Sequence, residues 1–322
     1  MPKLDVFFTV DVEIWCNGWH DLDARFPQAF RNYVYGNPNG GEYALRYKLQ
    51  QLRDHGLLGV FFVEPLFATR FGLGPLEEII GLIREHGQEV QEHLHTEWVC
   101  ESHQPLIEKA QPRRQFLRQF TLQEQTALIG AGKELIEHAG GGVVNAFRAG
   151  SFGFNRDSLS AMAVNGIRFD SSYNSTMFGP DSGVMPGQDV FEPIACDGVY
   201  EYPMTVYNDG SGKLRHVQLA ACSNLELEGL LQQSLAAGRK SFMMLSHNFE
   251  LLNAARNRAD PIMIRRFARM CRFFADNRDR FPLRGFHDLE PATVVTQPPV
   301  LTSPRWKTGH RIVQQALRRR YG

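Results

Sequence analysis

Short apolar runs rich in valine, phenylalanine and isoleucine alternate along the chain with longer amphipathic segments. Seven runs have the length and composition of buried strands, at residues 4–10, 59–63, 89–95, 144–148, 167–170, 199–204 and 242–246. Apolar residues recur at helical spacing over residues 44–55, 76–86, 121–138, 156–165, 225–237 and 261–276. This alternation predicts an α/β fold with parallel strands, either closed into a barrel or arranged as an open doubly wound sheet.

Two long segments rich in glycine, proline and asparagine follow predicted strands, at residues 14–42 and 173–197. Loops in these places build the active sites of α/β folds, so we expect both to border a site. From residue 293 the chain reads as a linker, followed from about residue 309 by a short basic helix. The predicted organisation is therefore a catalytic domain at residues 1–292, then a linker and a basic C-terminal helix at residues 293–322.

Composition narrows the function classes. The chain has 322 residues, 43% of them hydrophobic, with 35 basic and 35 acidic side chains, so its net charge does not favour a nucleic-acid partner. Five cysteines without paired spacing predict reduced thiols. Acids at Asp5 and Asp11 interrupt the N-terminal apolar run, and no run approaches the roughly 18 residues of a membrane span. We therefore expect a cytoplasmic protein without a signal peptide.

Polar side chains occur at or just after the carboxyl ends of the predicted strands. These residues are Asp11, Glu13, His93, His95, Arg148, Asp170 and His247. Taken singly, each also fits a turn, a cap or a structural ion pair. In an α/β barrel, however, the carboxyl ends of all strands share one rim, so the pattern predicts that the seven side chains meet at one site.

The spacing within this set indicates a metal site. Asp11 and Glu13 are two residues apart, as are His93 and His95, so each pair points to one face of an extended strand. Carboxylate and imidazole together suit Zn²⁺ and its divalent neighbours, and three protein ligands leave a position open for catalysis. The alternative is that the two histidines lie in a surface turn without a metal.

Six segments, in this order, carry a family resemblance: TVDVE at residues 9–13, GVFFV at 59–63, GQEVQEH at 87–93, FRAGSFG at 147–153, FDSS at 169–172 and LSH at 245–247. Together they resemble the polysaccharide deacetylases that share the NodB homology domain, carbohydrate esterase family 4. The segment HLHTEW at residues 93–98 is similar to a segment found in one branch of this family, which is associated with surface polysaccharide or lipopolysaccharide biosynthesis.

The resemblance implies a distorted (β/α)7 barrel of the NodB-homology type. It also implies a metal-dependent hydrolase, with Zn²⁺ as the expected metal, that removes an N-acetyl or other N-acyl group from an amino sugar of a cell-surface polysaccharide or its precursor. Carried over residue by residue, the implied roles are general base for Asp11, metal ligands for Glu13, His93 and His95, general acid for His247, orientation of Asp11 for Arg148, and tuning of His247 for Asp170.

Two departures from the family pattern leave alternatives open. The family's two acids are adjacent, whereas Val12 separates them here, and its second metal histidine lies four residues after the first, where this chain has Glu97. We expect His95 as the third ligand, with Glu97 as the alternative, because an imidazole keeps the ligand type. The other functions to weigh are a deformylase or other C–N hydrolase, and a catalytically inactive protein that binds a glycan or a partner.

The C-terminal segment has a separate implication. It contains Arg305, Lys307 and Arg311 and a run of arginines at residues 318–320, and no acid follows Glu290. A helix with this composition predicts weak peripheral contact with an anionic membrane surface.

Overall fold

The computed structural model describes residues 2–36 and 41–321. In that part of the chain the strands are β1 (Asp5–Val12), β2 (Val60–Val63), β3 (Glu89–Leu94), β4 (Ala146–Ala149), β5 (Phe169–Asp170), β6 (Ile194–Cys196), β7 (Val199–Glu201), β8 (Val206–Asn208), β9 (Leu214–His216), β10 (Ser241–His247) and β11 (Leu301–Thr302). The helices are α1 (Leu22–Val34), α2 (Leu45–Asp54), α3 (Ala68–Phe71), α4 (Gly74–Glu85), α5 (Leu122–His138), α6 (Arg156–Val164), α7 (Asn224–Ala236), α8 (Pro261–Asp276) and α9 (Arg305–Tyr321).

Seven parallel strands form a curled sheet in the order β10-β1-β2-β3-β4-β5-β7, and β6 pairs antiparallel with β7 at the edge. No regular strand joins β7 to β10 among the described residues. Instead, an irregular segment lies along β10: the Leu219 amide donates to the Leu245 carbonyl at 2.8 Å, and the Leu245 amide donates to the Val217 carbonyl at 2.9 Å. The predicted distorted (β/α)7 barrel is therefore confirmed, rather than the open doubly wound sheet.

Side-chain alternation along the strands separates two cores. On β1, Phe7 packs in the barrel interior with Phe62 and Met243. Its neighbours on the strand, Val6 and Phe8, pack outward in the larger core beneath the helices. Asp11 has the same parity as Phe7, so the alternation that builds the apolar interior also turns this carboxylate toward the barrel axis.

The seven predicted strands and six predicted helices all occur within a few residues of their expected bounds. The prediction that residues 14–42 form a loop was wrong in its middle, because α1 lies there. Its buried side chains, Leu22, Phe26, Phe30 and Val34, recur every four residues and pack in the outer core. Sheet β11-β8-β9 was also missed, since its strands have only two or three residues each.

The C-terminal segment packs against the barrel. Strand β11 pairs with β8, and α9 begins at Arg305 rather than near residue 309. Arg311, 1% exposed, forms ion pairs of 3.0 Å with both Asp209 and Glu226. The division of the chain at residue 292 stays a prediction. Among the described helices, none has the length and apolar character needed to cross a membrane.

Candidate metal centre

Two pairs of neighbouring strands, β10 with β1 and β3 with β4, bring the polar side chains together. In the sheet register Asp11 of β1 lies beside His247 of β10, and His93 of β3 lies beside Arg148 of β4. Glu13 follows β1 directly, on the same parity as Asp11. The site therefore forms at the carboxyl ends of the strands, the position of active sites in α/β barrels.

Three buried side chains form a candidate metal site. Glu13 Oε1 lies 3.2 Å from Nε2 of His93 and 2.9 Å from Nε2 of His95. One ligand atom from each residue lies within 4.8 Å of the others. A carboxylate oxygen and two imidazole nitrogens that converge in this way suit a divalent ion such as Zn²⁺, so the residues present fit the expected metal.

Hydrogen bonds on the far side of each imidazole leave the converging nitrogens available. Nδ1 of His93 lies 2.9 Å from the Arg148 carbonyl, an acceptor, so it carries the proton and donates it there. Nδ1 of His95 lies 3.3 Å from Glu97 Oε2. Each Nε2 can then act as an acceptor or a ligand. Glu97 thus lies behind His95, against the nitrogen that faces away from Glu13.

Charge coupling within this group is strong. Burial disfavours ionisation of Glu13, but the neighbouring His95 and His93 outweigh it and hold the pKa of Glu13 well below its usual value. Burial likewise disfavours a charged His95, yet Glu13 and Glu97 raise its pKa well above the usual value. Glu13 and Glu97 therefore favour positive charge at this point of the pocket, which a bound divalent ion would also supply.

Arg148 holds Asp11 in place. The guanidinium is fully buried, and its Nη1 donates to Asp11 Oδ1 at 2.6 Å and to Thr9 Oγ1 at 2.9 Å. It also donates to the Ser171 carbonyl and hydroxyl, at 3.1 and 3.0 Å. The other carboxylate oxygen of Asp11 lies 3.8 Å from His93 Nε2. One oxygen of Asp11 is therefore fixed by Arg148, and the second faces the candidate metal site.

His247 also lies close to Glu13, with Nε2 3.9 Å from Glu13 Oε1, and one ligand atom from each of Asp11, Glu13 and His247 lies within 4.8 Å of the others. Its Nδ1 lies 3.3 Å from Glu250 Oε1, and Ser246 Oγ donates to the other oxygen of Glu250 at 3.0 Å. Burial opposes protonation of the ring, but the bond to Glu250 and the charges of Glu250 and Glu13 raise the pKa of His247 to about 9. The imidazole is therefore protonated at neutral pH and held by a carboxylate.

The structure does not bring Asp170 to His247, so the predicted tuning needs correction. Phe169 packs in the barrel interior, and the next residue therefore points to the other face of the sheet. There Asp170 accepts from Ser172 Oγ at 2.5 Å and shares a side-chain hydrogen bond with Glu201. Burial raises the pKa of Asp170, and burial with the Asp170 charge raises that of Glu201 well above its usual value.

Two residues at the site, Glu250 and Asn248, were not predicted from the sequence. Glu250 occupies the position predicted for Asp170, and its only sequence signal is its spacing of three residues after His247. Asn248 accepts from the Glu13 amide at 3.2 Å and donates to the Glu13 carbonyl at 3.1 Å, which ties the end of β1 to the end of β10. The sequence shows only that this asparagine directly follows His247.

No protein-family model and no curated protein matches this chain. Among solved structures, a Mycobacterium smegmatis protein provisionally described as a polysaccharide deacetylase is 18% identical, with a TM-score of 0.51 over 90% of this chain and 96% of that one. A family 4 carbohydrate esterase from Streptomyces lividans, in complex with acetate, is 12% identical, with a TM-score of 0.40 over 86% and 89%. A 4-α-glucanotransferase from Thermococcus litoralis is 9% identical, with a TM-score of 0.49 over 87% and 39%. The first similarity shows a shared barrel fold.

Proposed function

We propose that the protein is a metal-dependent hydrolase that removes an N-acetyl or other N-acyl group from an amino sugar. The observation that carries this proposal is the convergence of Glu13, His93 and His95, with Asp11 and His247 directly beside the group. Amide hydrolysis needs a proton acceptor for water and a proton donor for the leaving amine. Asp11, held by Arg148, and the protonated His247 can supply these two groups.

Each side chain has a role that follows from its contacts. Asp11, with one oxygen held by Arg148, accepts a proton from the water that attacks the amide carbon. His247 donates a proton to the amine nitrogen as the C–N bond breaks, and Glu250 keeps the ring oriented. Glu13, His93 and His95 would hold the metal. A divalent ion there supplies Lewis-acid polarisation of the amide carbonyl and lowers the pKa of water.

The six-segment pattern supports assignment to carbohydrate esterase family 4, and the HLHTEW segment supports its surface-polysaccharide or lipopolysaccharide branch. We place the reaction in the cytoplasm, on an amino-sugar precursor of the polysaccharide. All five cysteines are free, as in proteins of reducing compartments. Zn²⁺ is the metal that the mixed carboxylate and imidazole set favours.

The experiment that tests this function measures acid release from N-acylated sugars by the purified, zinc-loaded protein. We expect acetate from an N-acetylated chito-oligosaccharide or from N-acetylglucosamine 1-phosphate, and none from Asp11→Asn protein at the same metal content. Formate from N-formyl sugars without acetate would assign a deformylase instead. Absence of both acids, with glycan binding retained, would assign an inactive binding protein.

We also propose that α9 makes weak, salt-sensitive contact with an anionic membrane surface. The polar side of this helix faces the barrel through Arg311, while Trp306, Val313 and Leu317 are 63%, 58% and 44% exposed. This arrangement inverts the usual one, because the apolar side chains face outward. The exposed Arg305 directly precedes Trp306, and no acid follows Glu290. Basic and apolar groups together match an anionic lipid surface.

A vesicle assay tests this contact. Full-length protein should co-sediment with phosphatidylglycerol-containing vesicles at low salt and be released at high salt. The double variant Val313→Ser/Leu317→Ser should lose the binding, and Val164→Ser, which alters an exposed valine on α6, should keep it. Equal sedimentation of the parent and the double variant would contradict the proposed contact.

A further inference from the structure

A cleft of about 660 Å³ opens beside the candidate metal site, between α1 and the loop at residues 254–256. Its polar lining includes Arg25, Gln28, Asn32 and Arg256, and none of the described residues that line it is an acid. Donor groups without carboxylates give the cleft a positive potential, which favours an anionic ligand.

The two arginines of the cleft lack carboxylate partners within the described chain. Arg25 donates to the Asn17 carbonyl at 3.3 Å. The Arg256 guanidinium lies over two aromatic rings, 4.7 Å from the centroid of Tyr33 and 4.4 Å from that of Phe249. Burial lowers the pKa of Arg256, although the Glu13 charge opposes this change. Stacking orients this guanidinium and leaves its N–H groups for a planar or tetrahedral oxyanion.

A buried hydroxyl gives an independent indication of a ligand. Tyr33, 3% exposed, lines the cleft, and its Oη atom is buried without a hydrogen-bond partner among the described residues. A buried hydroxyl without a partner is unfavourable, so a ligand oxygen that accepts its proton would stabilise the bound state.

The cleft is connected to the metal site through Trp15. This residue lines the cleft, and its indole Nε1 donates to Glu13 Oε2 at 2.7 Å. Its ring packs edge-on against His95, with centroids 4.7 Å apart. A ligand in the cleft would therefore lie next to the sugar whose amide is at Glu13, separated from it by one indole.

We propose that this cleft binds an oxyanion, a phosphate or a carboxylate, that the substrate carries beside the N-acylated amino sugar. The substrate class is thus an anionic glycan unit, either a sugar phosphate or a sugar linked to a uronic acid. Arg25, Arg256 and the Tyr33 hydroxyl supply the donors, and Trp15 forms the boundary with the reaction site. The assignment of this anion to the substrate rests on the proposed function, whereas anion binding itself does not.

Isothermal titration of the full chain tests the cleft with three ligands that share the N-acetylated sugar and differ in charge. These are N-acetylglucosamine 1-phosphate, the disaccharide of N-acetylglucosamine and glucuronic acid, and the neutral methyl glycoside of N-acetylglucosamine. We expect at least one anionic ligand to bind about tenfold or more tightly than the neutral one. Arg25→Gln/Arg256→Gln should abolish that preference, and Tyr33→Phe should reduce it severalfold.

The matched control is Arg31→Gln, which removes an exposed charge from the same helix outside the cleft and should retain the preference. Tighter binding of only one anion identifies whether the group is phosphate or carboxylate. Absence of any preference, or a preference that survives in the double arginine variant, overturns the proposal. Acetate release is followed in the same samples, so anion binding without hydrolysis would refute the proposed reaction and leave the cleft assignment standing.

Discussion

Replacing Glu97 by glutamine tests whether this residue binds the metal itself or only orients the metal ligand His95. In the structure Glu97 Oε2 lies 3.3 Å from His95 Nδ1, and Glu13 lies 2.9 Å from the opposite nitrogen of that ring. Loss of such an outer carboxylate typically weakens metal affinity about 10–100-fold, equivalent to roughly 1.4–2.7 kcal/mol. Loss of His95 removes one of three ligands, so His95→Ala should no longer hold stoichiometric metal.

Competition with a chromophoric zinc chelator measures these affinities directly. Glu97→Gln should bind one zinc per chain with a Kd raised about 10–100-fold, and His95→Ala should bind none at micromolar protein. Glu101→Gln is the matched control, because Glu101 lies in the same short 3-10 helix (Thr96–Glu101) but pairs with Arg70 at 3.0 Å, and its zinc affinity should equal the parent's. Zinc loss from Glu97→Gln as complete as that from His95→Ala would place Glu97 in the coordination sphere and refute this reasoning.

Three further outcomes follow from the contacts. Asp11→Asn should lower kcat by about 10²–10⁴-fold at unchanged metal content, and metal loss together with activity would make Asp11 a ligand. Glu250→Gln should move the high-pH limb of the rate profile to lower pH, because a general acid fails as pH rises through its pKa and Glu250 helps to raise that of His247 to about 9. An unchanged limb would remove this histidine from the mechanism. Arg311→Met should destabilise the protein by about 3–5 kcal/mol in urea unfolding, because it leaves the buried Glu226 carboxylate without a cationic partner and Asp209 with Arg215 alone, and a change below about 1 kcal/mol would contradict that role.

The sequence revealed the barrel and most of its rim because both depend on local periodicity. Alternation along β1 and β3 is a property of single strands, so the shared faces of Asp11 with Glu13 and of His93 with His95 were predictable from spacing. The fold class then predicted that these side chains meet, because the carboxyl ends of all barrel strands share one rim.

What the sequence did not reveal depends on contacts between distant segments. Asp170 ends a strand as His247 does, but only the packed neighbour Phe169 shows that it faces away from the barrel axis. Glu250 meets His247 because the chain turns tightly after β10, which no periodicity encodes. The inverted packing of α9 likewise depends on Arg311 meeting acids about one hundred residues earlier in the chain.

A zinc titration of chelator-treated protein, with bound metal and released acetate measured in the same samples, tests the proposed metal-dependent deacylation most directly. The two quantities should rise together, reach a plateau at one zinc per chain, and both be absent in His93→Ala. Acetate release that persists without bound metal would contradict the proposal, as would full zinc occupancy without hydrolysis of any N-acylated sugar, neutral or anionic.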